Sequence, residues 1–254
     1  MTNADCIGII PARYGSTRFP GKPLALILGK TLLQRTYENA QRCQSLKFVV
    51  VATDDQRIYD HVEDFGGNVV MTSPHCETGT DRLAEVVANY PHLKSDFVVN
   101  IQGDEPCVDP HTIDAVIEIL HGDLQASMST AAVLLETEQE ALSSSIVKCT
   151  LDQRGNALYF SRNLIPSNKN GSYCSKTVYY RHIGIYGYRS EFLMKYACLA
   201  KTPLQSTEDL EQLKALEHGY RIKVAIVKSS AIGVDLPEDI QKIEKILCKQ
   251  NTSL

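Results

Sequence analysis

The chain has 254 residues, of which 43% are apolar and 22% are charged, as in one large or two small globular domains. Its formal net charge of −4 excludes recruitment of nucleic acid or anionic membranes by a bulk positive field. No apolar run approaches the roughly 20 residues of a membrane span, and the N-terminal residues lack the pattern of a signal peptide. We therefore expect a cytoplasmic protein.

The eight cysteines are scattered along the chain, and none forms a C-x-x-C pair. Zinc frameworks and redox motifs need that close spacing, and disulfide scaffolds occur in small, cysteine-dense secreted domains. The sequence therefore predicts reduced thiols.

The first half of the chain alternates short apolar runs with amphipathic segments, a pattern typical of βαβ units. The predicted strands cover residues 6–10, 47–52 and 97–101. The predicted helices present apolar faces over residues 32–43, 58–65, 83–90 and 113–120. The strands are apolar throughout, as buried parallel strands are. We expect an α/β fold with a Rossmann-like, doubly wound, mostly parallel sheet.

The second half has a different character. Its predicted strands cover residues 126–135, 145–151, 157–160, 180–188 and 222–227, with a hairpin turn at 152–156 and a polar loop at 166–177. Its predicted helices cover residues 190–200, 207–217 and the segment from about 237. We expect a single domain over 1–254, with an inserted antiparallel portion at about 125–190.

A cationic loop follows the first strand. It carries Arg13, Arg18 and Lys22 together with two glycines and two hydroxyl side chains. Ligands of doubly wound folds bind at the carboxyl ends of the strands, and glycines let backbone N–H groups approach an anion while Arg and Lys neutralise it. The loop is not a Walker A motif, because the glycine spacing is one residue too long and Pro23 replaces the metal-binding hydroxyl.

Two acidic residues are candidate ligands of a metal ion. Asp104 follows the third apolar strand, where a carboxylate suits Mg²⁺ held together with substrate phosphates. Asp235 lies in G-V-D-L-P-E-D, which either starts a helix, with Asp235 as N-cap, or supplies a second metal ligand. Beside the cationic loop, Asp104 indicates phosphoryl or nucleotidyl transfer.

Three weaker clusters remain. Thr78 to Arg82 opens a helix, where Thr78 serves as a cap and Arg82 could reach an anion. The strand 180–188 alternates, so His182, Gly184, Tyr186 and Tyr188 share one face that is either a pocket wall or a dimer surface. Glu208, Glu211 and Gln212 are predicted on one side of a helix, and solvation is their default interpretation.

In this order, the motifs resemble the 3-deoxy-manno-octulosonate (Kdo) cytidylyltransferase family, also called CMP-Kdo synthetases, from about Ile7 to Leu247. The matching segments are I-P-A-R at 10–13, R-F-P-G-K-P at 18–23, V-A-T-D at 51–54, G-T-D-R-L-A-E at 79–85, N-I-Q-G-D-E-P at 100–106, Y-F-S-R at 159–162, R-H-I-G-I-Y-G-Y at 181–188, L-E-Q-L at 210–213 and G-V-D at 233–235. The first loop alone would indicate only sugar nucleotidyltransferases in general. The strand with His182 and the segment with Glu211 and Gln212 make the resemblance specific to the cytidylyltransferases that act on Kdo. The departures are Phe19 for Leu, Lys214 for Arg and Leu236 for Thr.

The resemblance implies the reaction of CTP with Kdo to give CMP-Kdo and pyrophosphate, for lipopolysaccharide synthesis, in a homodimer. The residues implied to bind the nucleotide are Pro11, Ala12, Arg13, Arg18, Lys22, Ser73, Thr78, Gly79 and Gln102. Those implied on the sugar side are Arg82, Gln102, Arg162, His182, Tyr186, Glu211 and Gln212. Asp104 and Asp235 are implied to hold the Mg²⁺ cofactor, and Arg13 and Lys22 share the catalytic role with these two acids.

Three other functions stay open at this point. A cytidylyltransferase that activates sialic acid also uses an acidic 2-keto sugar. A non-catalytic nucleotide-binding regulator could keep the fold, although it need not keep two metal carboxylates. A nucleic-acid-binding protein has only the cationic loop in its favour.

Overall fold

The structure is a computed structural model that describes residues 5–15, 18–228 and 233–251. Within these ranges the strands are β1 (Cys6–Ala12), β2 (Leu26–Ile27), β3 (Lys30–Thr31), β4 (Phe48–Thr53), β5 (Val69–Met71), β6 (Phe97–Asn100), β7 (Met128–Leu134), β8 (Lys148–Leu151), β9 (Ala157–Ser161), β10 (Tyr180–Arg189) and β11 (Ile222–Val227). The helices are α1 (Leu32–Ala40), α2 (Gln56–Asp64), α3 (Gly79–Asn89), α4 (Pro110–His121), α5 (Glu138–Leu142), α6 (Ser190–Ala197), α7 (Pro203–Glu208), α8 (Leu213–Glu217) and α9 (Asp239–Asn251). In the described part of the chain, no helix is long and apolar enough to cross a membrane.

The chain forms two compact units. The first unit comprises residues 1–114 and 231–254, and the second comprises residues 115–230. The expected single domain with an insertion at about 125–190 stays a prediction.

A parallel sheet forms the centre of the first unit. Its strand order is β6–β1–β4–β5, and Ile9 of β1 lies between Asn100 of β6 and Val50 of β4. Neither Ile9 nor Val50 is more than 1% exposed, because the strands carry apolar side chains on both faces. This arrangement confirms the predicted α/β fold with a mostly parallel sheet.

Two elements of the first unit were not predicted. The edge strand β5 has only three residues, too few for a periodic signal. The pair β2–β3 is an antiparallel hairpin of two-residue strands, in which Leu28 (φ 45°) and Gly29 (φ 80°) form the left-handed turn.

The second unit contains the predicted antiparallel strands. β10 pairs antiparallel with β7 and β8, and β8 pairs antiparallel with β9, whereas β11 lies parallel to β7. The turn at 152–156 is confirmed. There the Asp152 carboxylate accepts the N–H groups of Arg154 and Asn156, and Gly155 has φ 78°.

The helix predicted over 207–217 is wrong. The structure has two short helices there, α7 and α8, because Asp209 adopts the left-handed conformation (φ 54°, ψ 50°) directly after Glu208. A left-handed residue ends an α-helix, and it is rarely an aspartate. Glu208 is therefore the last residue of α7, while Glu211 and Gln212 lie between the two helices, so the predicted shared helix face does not exist.

The predicted N-cap role of Asp235 is also wrong, because α9 begins at Asp239. The Asp239 carboxylate instead accepts the N–H groups of Asp235 and Leu236 at 3.1 and 3.0 Å. The Asp235 side chain is therefore not used to start the helix.

The segment that carries Asp235 returns to the first unit through an apolar cluster. Val234 and Ile243 pack with Ile27 and Leu32, and each of the four is at most 1% exposed. Burial of these aliphatic side chains holds residues 234–243 against the hairpin β2–β3 and the start of α1.

We expect Gly187→Ala to destabilise the second unit by about 1–3 kcal/mol, the cost of overpacking a core. A Cβ at Gly187 would lie 2.6 Å from Ser129 Oγ and 3.1 Å from Val116 Cγ1, and the Ser129 hydroxyl is fixed by donating to Val116 O at 2.7 Å. Urea unfolding measures the effect. The control is Gly122→Ala, whose Cβ would meet its nearest atom at 3.4 Å, and equal losses in both variants would contradict the prediction.

Candidate active site

Lys22 forms an ion pair and a second hydrogen bond within the first unit. Its ammonium donates to Asp104 Oδ2 at 2.6 Å and to the Val234 carbonyl at 2.9 Å. Arg18 forms a second ion pair with Asp235, at 2.9 Å. The Lys22–Asp104 pair is the more buried, with side chains 15% and 34% exposed against 66% and 60% for Arg18 and Asp235. The structure thus pairs two of the three predicted cations, Arg18 and Lys22, with the two predicted acids.

The loop that carries Asp104 is fixed by helix α1. The Thr36 hydroxyl donates to Gly103 O at 3.3 Å, and the Asn39 amide donates to Pro106 O at 2.6 Å. The backbone N–H of Val234 donates to the Asp104 carbonyl at 2.9 Å. Three distant parts of the sequence therefore define the position of this carboxylate.

The two carboxylates suit a hard divalent cation. Among residues 5–15, 18–228 and 233–251, no three His, Cys, Asp or Glu side chains converge on one point, so no metal cage is built from protein ligands alone. Mg²⁺ is usually bound by one or two carboxylates together with substrate phosphates. Asp104 and Asp235 fit that donor set, because the Val234 contact brings their segments together.

A cavity of about 390 Å³ lies at the carboxyl end of β1. Its lining is Pro11, Ala12, Arg13, Gly15, Arg18, Lys22, Pro23, Leu32, Gly79, Gln102, Gly103 and Asp104. Seven of the predicted nucleotide-binding residues are in this set. A Cβ at Gly79 would lie 3.2 Å from the Pro11 ring, so a glycine there lets the start of α3 approach β1 closely.

Arg13 is held by the loop before α3. Its guanidinium donates to the Cys76 carbonyl. That loop is fixed in turn by Glu85, whose carboxylate accepts Ser73 N at 2.8 Å and Cys76 Sγ at 3.0 Å. Burial and the bond to Glu85 raise the pKa of Cys76 to about 11, so the thiol stays protonated and donates. Glu85 is a contributor that residue spacing did not single out.

Ser73 and Thr78 are not in the lining of the cavity. The Ser73 hydroxyl accepts His75 N at 3.1 Å. The Thr78 hydroxyl accepts Asp81 N at 3.1 Å in a capping box, which confirms its predicted role as a helix cap. Their nucleotide contacts stay predictions.

Arg82 is completely buried in the first unit. Its guanidinium donates to Thr72 Oγ1, and its Nη2 lies 3.3 Å from Asp54 Oδ1. Because the side chain is 0% exposed, Arg82 offers no accessible atom to an anion. Its assignment to the sugar stays a prediction that this geometry does not support.

In the second unit, Arg162 is held at both its backbone and its side chain. Its N–H donates to Glu208 Oε2 at 2.9 Å, and its Nε donates to Glu208 O at 3.0 Å. Its carbonyl accepts Lys148 Nζ at 2.6 Å. Glu208 also accepts the Ser161 hydroxyl at 2.6 Å, so it is not the solvated residue that the sequence suggested.

His182 is a neutral, buried imidazole. Burial lowers its pKa to about 3, and Nε2 lies 2.9 Å from Thr130 Oγ1. The Thr130 hydroxyl has one proton and lies 2.8 Å from Ile185 O. We assign that proton to the carbonyl, so His182 donates from Nε2 and keeps Nδ1 as an acceptor. Its ring lies 5.5 Å from that of Tyr186, so both residues are on one side of β10, as predicted.

Glu211 and Gln212 lie in the connection between α7 and α8. The Tyr196 hydroxyl donates to the Glu211 carbonyl at 2.6 Å, and Gln212 is 3% exposed. The Lys214 ammonium lies over the Tyr196 ring, 4.2 Å from its centre, in a cation–π contact. Tyr196 therefore holds this connection through its hydroxyl and its ring. Residue spacing did not indicate this role.

Comparisons with known proteins identify the family of the chain. A family model described as cytidylyltransferase matches residues 7–225. The chain belongs to this family of nucleotide-transferring enzymes.

Particular relatives match nearly the whole chain. The 3-deoxy-manno-octulosonate cytidylyltransferase of Protochlamydia amoebophila (strain UWE25) is 63% identical, over 98% of this chain and 96% of the relative. A mitochondrial 3-deoxy-manno-octulosonate cytidylyltransferase of Arabidopsis thaliana is 49% identical, over 97% and 84%.

A solved structure of CMP:2-keto-3-deoxy-manno-octonic acid synthetase complexed with CTP is 36% identical, with a TM-score of 0.91, over 97% of this chain and 100% of that chain. The 4-diphosphocytidyl-2C-methyl-D-erythritol synthase of Anaerococcus prevotii, 16% identical with a TM-score of 0.64 over 96% of each chain, shares the fold. These findings confirm the resemblance, the fold and the enzyme class that the sequence predicted.

The His182 environment predicts a pH dependence of stability. The unfolded chain protonates this histidine near pH 6.5, whereas the folded protein resists protonation down to about pH 3. Stability from the buried neutral ring is therefore complete above pH 6.5 and is lost as the pH falls from there towards 3. At pH 5 the loss relative to pH 7 is about 2 kcal/mol.

We expect His182→Gln, which keeps a polar group near Thr130 but does not titrate, to remove this part of the pH dependence. Urea unfolding of both proteins at pH 5 and pH 7 measures the difference. An unchanged slope of stability against pH would show that His182 is not the titrating group.

Proposed function

We propose that this protein transfers the cytidylyl group of CTP to Kdo, giving CMP-Kdo and pyrophosphate. The observation that carries the proposal is the Lys22–Asp104 pair at 2.6 Å, beside a cavity lined by predicted nucleotide-binding residues at the carboxyl end of a parallel strand. The names of the relatives and the CTP in the similar structure support it.

The reaction is an in-line displacement at the α-phosphorus. A Kdo hydroxyl oxygen forms the new bond to phosphorus and gives up its proton to water, the bond to the bridging oxygen breaks, and pyrophosphate leaves with that electron pair. Arg13, Arg18 and Lys22 bind the triphosphate. Arg13 and Lys22 neutralise the charge that develops on the leaving pyrophosphate, an effect that is large in a preorganised site.

Asp104 and Asp235 would hold Mg²⁺. A bound magnesium ion supplies charge neutralisation and lowers the pKa of the attacking hydroxyl. Lys22 and Arg18, which pair with these carboxylates, would be free to bind the phosphates once the carboxylates held the metal. In this scheme no separate protein base is required.

We assign the acceptor contacts to the residues that the resemblance implies on the sugar side. Kdo is an acidic sugar, so its carboxylate needs a cation, and Arg162 supplies one through a guanidinium whose donors form directed bonds to a carboxylate. His182, Tyr186, Glu211 and Gln212 provide neutral and polar contacts to the hydroxyls. The proposal extends to a homodimer formed through residues of about 125–190, to the cytoplasm as compartment, and to lipopolysaccharide synthesis as the use of the product.

Asp104→Asn tests the proposed metal site. We expect turnover to fall by about 100-fold or more, since a neutral amide cannot replace the charge near the reacting phosphate, while CTP binding stays measurable by calorimetry. Asp64→Asn, an exposed acid at the end of α2, is the matched control and should keep full activity. Near-normal pyrophosphate release from Asp104→Asn would remove this carboxylate from the mechanism.

The choice of acceptor and the metal requirement are tested in one assay. Pyrophosphate release from CTP is measured with Kdo or N-acetylneuraminate, each with and without a chelator. We expect release with Kdo only, its loss with chelator and its recovery with excess Mg²⁺. Release with N-acetylneuraminate alone would favour the sialic acid alternative, and CTP binding without release would favour a regulator.

A further inference from the structure

Solvation is the default interpretation of Glu208 from its sequence, but in the structure both oxygens of its carboxylate accept hydrogen bonds. Oε1 accepts the Ser161 hydroxyl at 2.6 Å, and Oε2 accepts the N–H of Arg162 at 2.9 Å. Burial works against the charge, but these hydrogen bonds outweigh it and hold the pKa of Glu208 below its ordinary value. Glu208 is therefore a charged acceptor joined to the end of β9.

The end of helix α7 also binds the guanidinium of Arg162. Arg162 Nε donates to Glu208 O at 3.0 Å, and Nη2 donates to Asp209 O at 3.4 Å. These two carbonyls lie together because Asp209 is left-handed (φ 54°). Strained residues of this kind persist where the surrounding structure requires them, often at functional sites.

Lys148 fixes Arg162 from the opposite end of the residue. This lysine is 0% exposed, and its ammonium donates to Ser143 O, Ile146 O and Arg162 O at 2.6–2.7 Å. Burial lowers the pKa of Lys148, while the charge of Glu208 opposes that change. A buried lysine with three carbonyl acceptors is fully satisfied and has little freedom to move.

Arg162 is thus bound at its N–H, its carbonyl, Nε and Nη2. Among the described residues, no protein atom takes a hydrogen bond from Nη1, which stays available for a ligand. A rigid guanidinium with one open edge suits directed recognition of a carboxylate.

We propose that Glu208 is a positioning residue that sets the direction of Arg162 toward the acidic sugar. The inference rests on the proposed function, in which Arg162 contacts Kdo. Glu208 acts through Arg162 and through the turn at Asp209, and it touches neither the nucleotide nor the reacting atoms.

Glu208→Gln is the main test. The amide has the same shape but only one acceptor oxygen, so either Ser161 or the N–H of Arg162 loses its partner, and the charge is lost as well. We expect kcat/KM for Kdo to fall about tenfold, as small displacements of an orienting group do, while the KM for CTP stays within about twofold. Pyrophosphate release is measured with Kdo varied at saturating CTP and then with CTP varied.

Glu217→Gln is the matched control. The Glu217 carboxylate also accepts backbone N–H groups, those of Leu204 and Gln205 at 3.0 and 3.2 Å, but within the described part of the chain it does not bond to Arg162. We expect both kinetic parameters of this variant to stay within about twofold of the wild type. If Glu208→Gln does not fold, Ser161→Ala tests the same link, with the same selective loss expected.

Arg162→Ala separates this inference from the proposed function. In that background Glu208→Gln should cause no further loss, because the two residues act as one unit. Loss with Arg162→Ala but an unchanged Glu208→Gln overturns the positioning role and leaves the proposed function standing. An unaffected Arg162→Ala overturns the role of Arg162 and this inference with it, and equal loss for both substrates in Glu208→Gln overturns the inference alone. No release by the wild type overturns the proposed function itself.

Discussion

The candidate site depends on one ammonium group. Lys22 joins the Asp104 carboxylate to the Val234 carbonyl, and these residues come from the first loop, the loop after β6 and the segment before α9. The Lys22 and Asp104 side chains are only 15% and 34% exposed, so loss of either one leaves a largely desolvated charge without its ion-pair partner. The loops meet because the carboxyl ends of parallel strands lie at one edge of the sheet.

Much of the fold follows from the sequence. The strands β1, β4 and β6 are apolar on both faces, which only a covered parallel sheet accommodates, and the helices between them have clear caps such as Thr31 and Thr78. Short elements cannot be predicted in this way, because the three residues of β5 are too few to show a periodic pattern of apolar residues. The division between α7 and α8 escapes it as well, because an aspartate gives no warning of the left-handed conformation that a glycine would.

The candidate site also has a part that can be predicted from the sequence and a part that cannot. Arg13, Lys22 and Asp104 stand in a loop or just past an apolar strand, so their place at the sheet edge can be inferred from spacing. The partners that orient them cannot, because contacts such as that of Glu85 with Cys76 join side chains to distant backbone atoms. For Arg82 the motif and the geometry differ, since a cation in a motif invites an anion-binding role, whereas its guanidinium lies in the interior beside Asp54.

The position of Asp235 along the chain has a consequence for biosynthesis. During translation β1, the cationic loop and Asp104 emerge early, but the second carboxylate and the backbone carbonyl that Lys22 needs belong to residues 233–251. Those residues are seated by Val234 and Ile243 in the apolar cluster with Ile27 and Leu32. A nascent chain from which residues 233–251 have not yet emerged therefore holds only one of the two carboxylates. Order of synthesis thus delays assembly of the full pair of acids until the late segment docks.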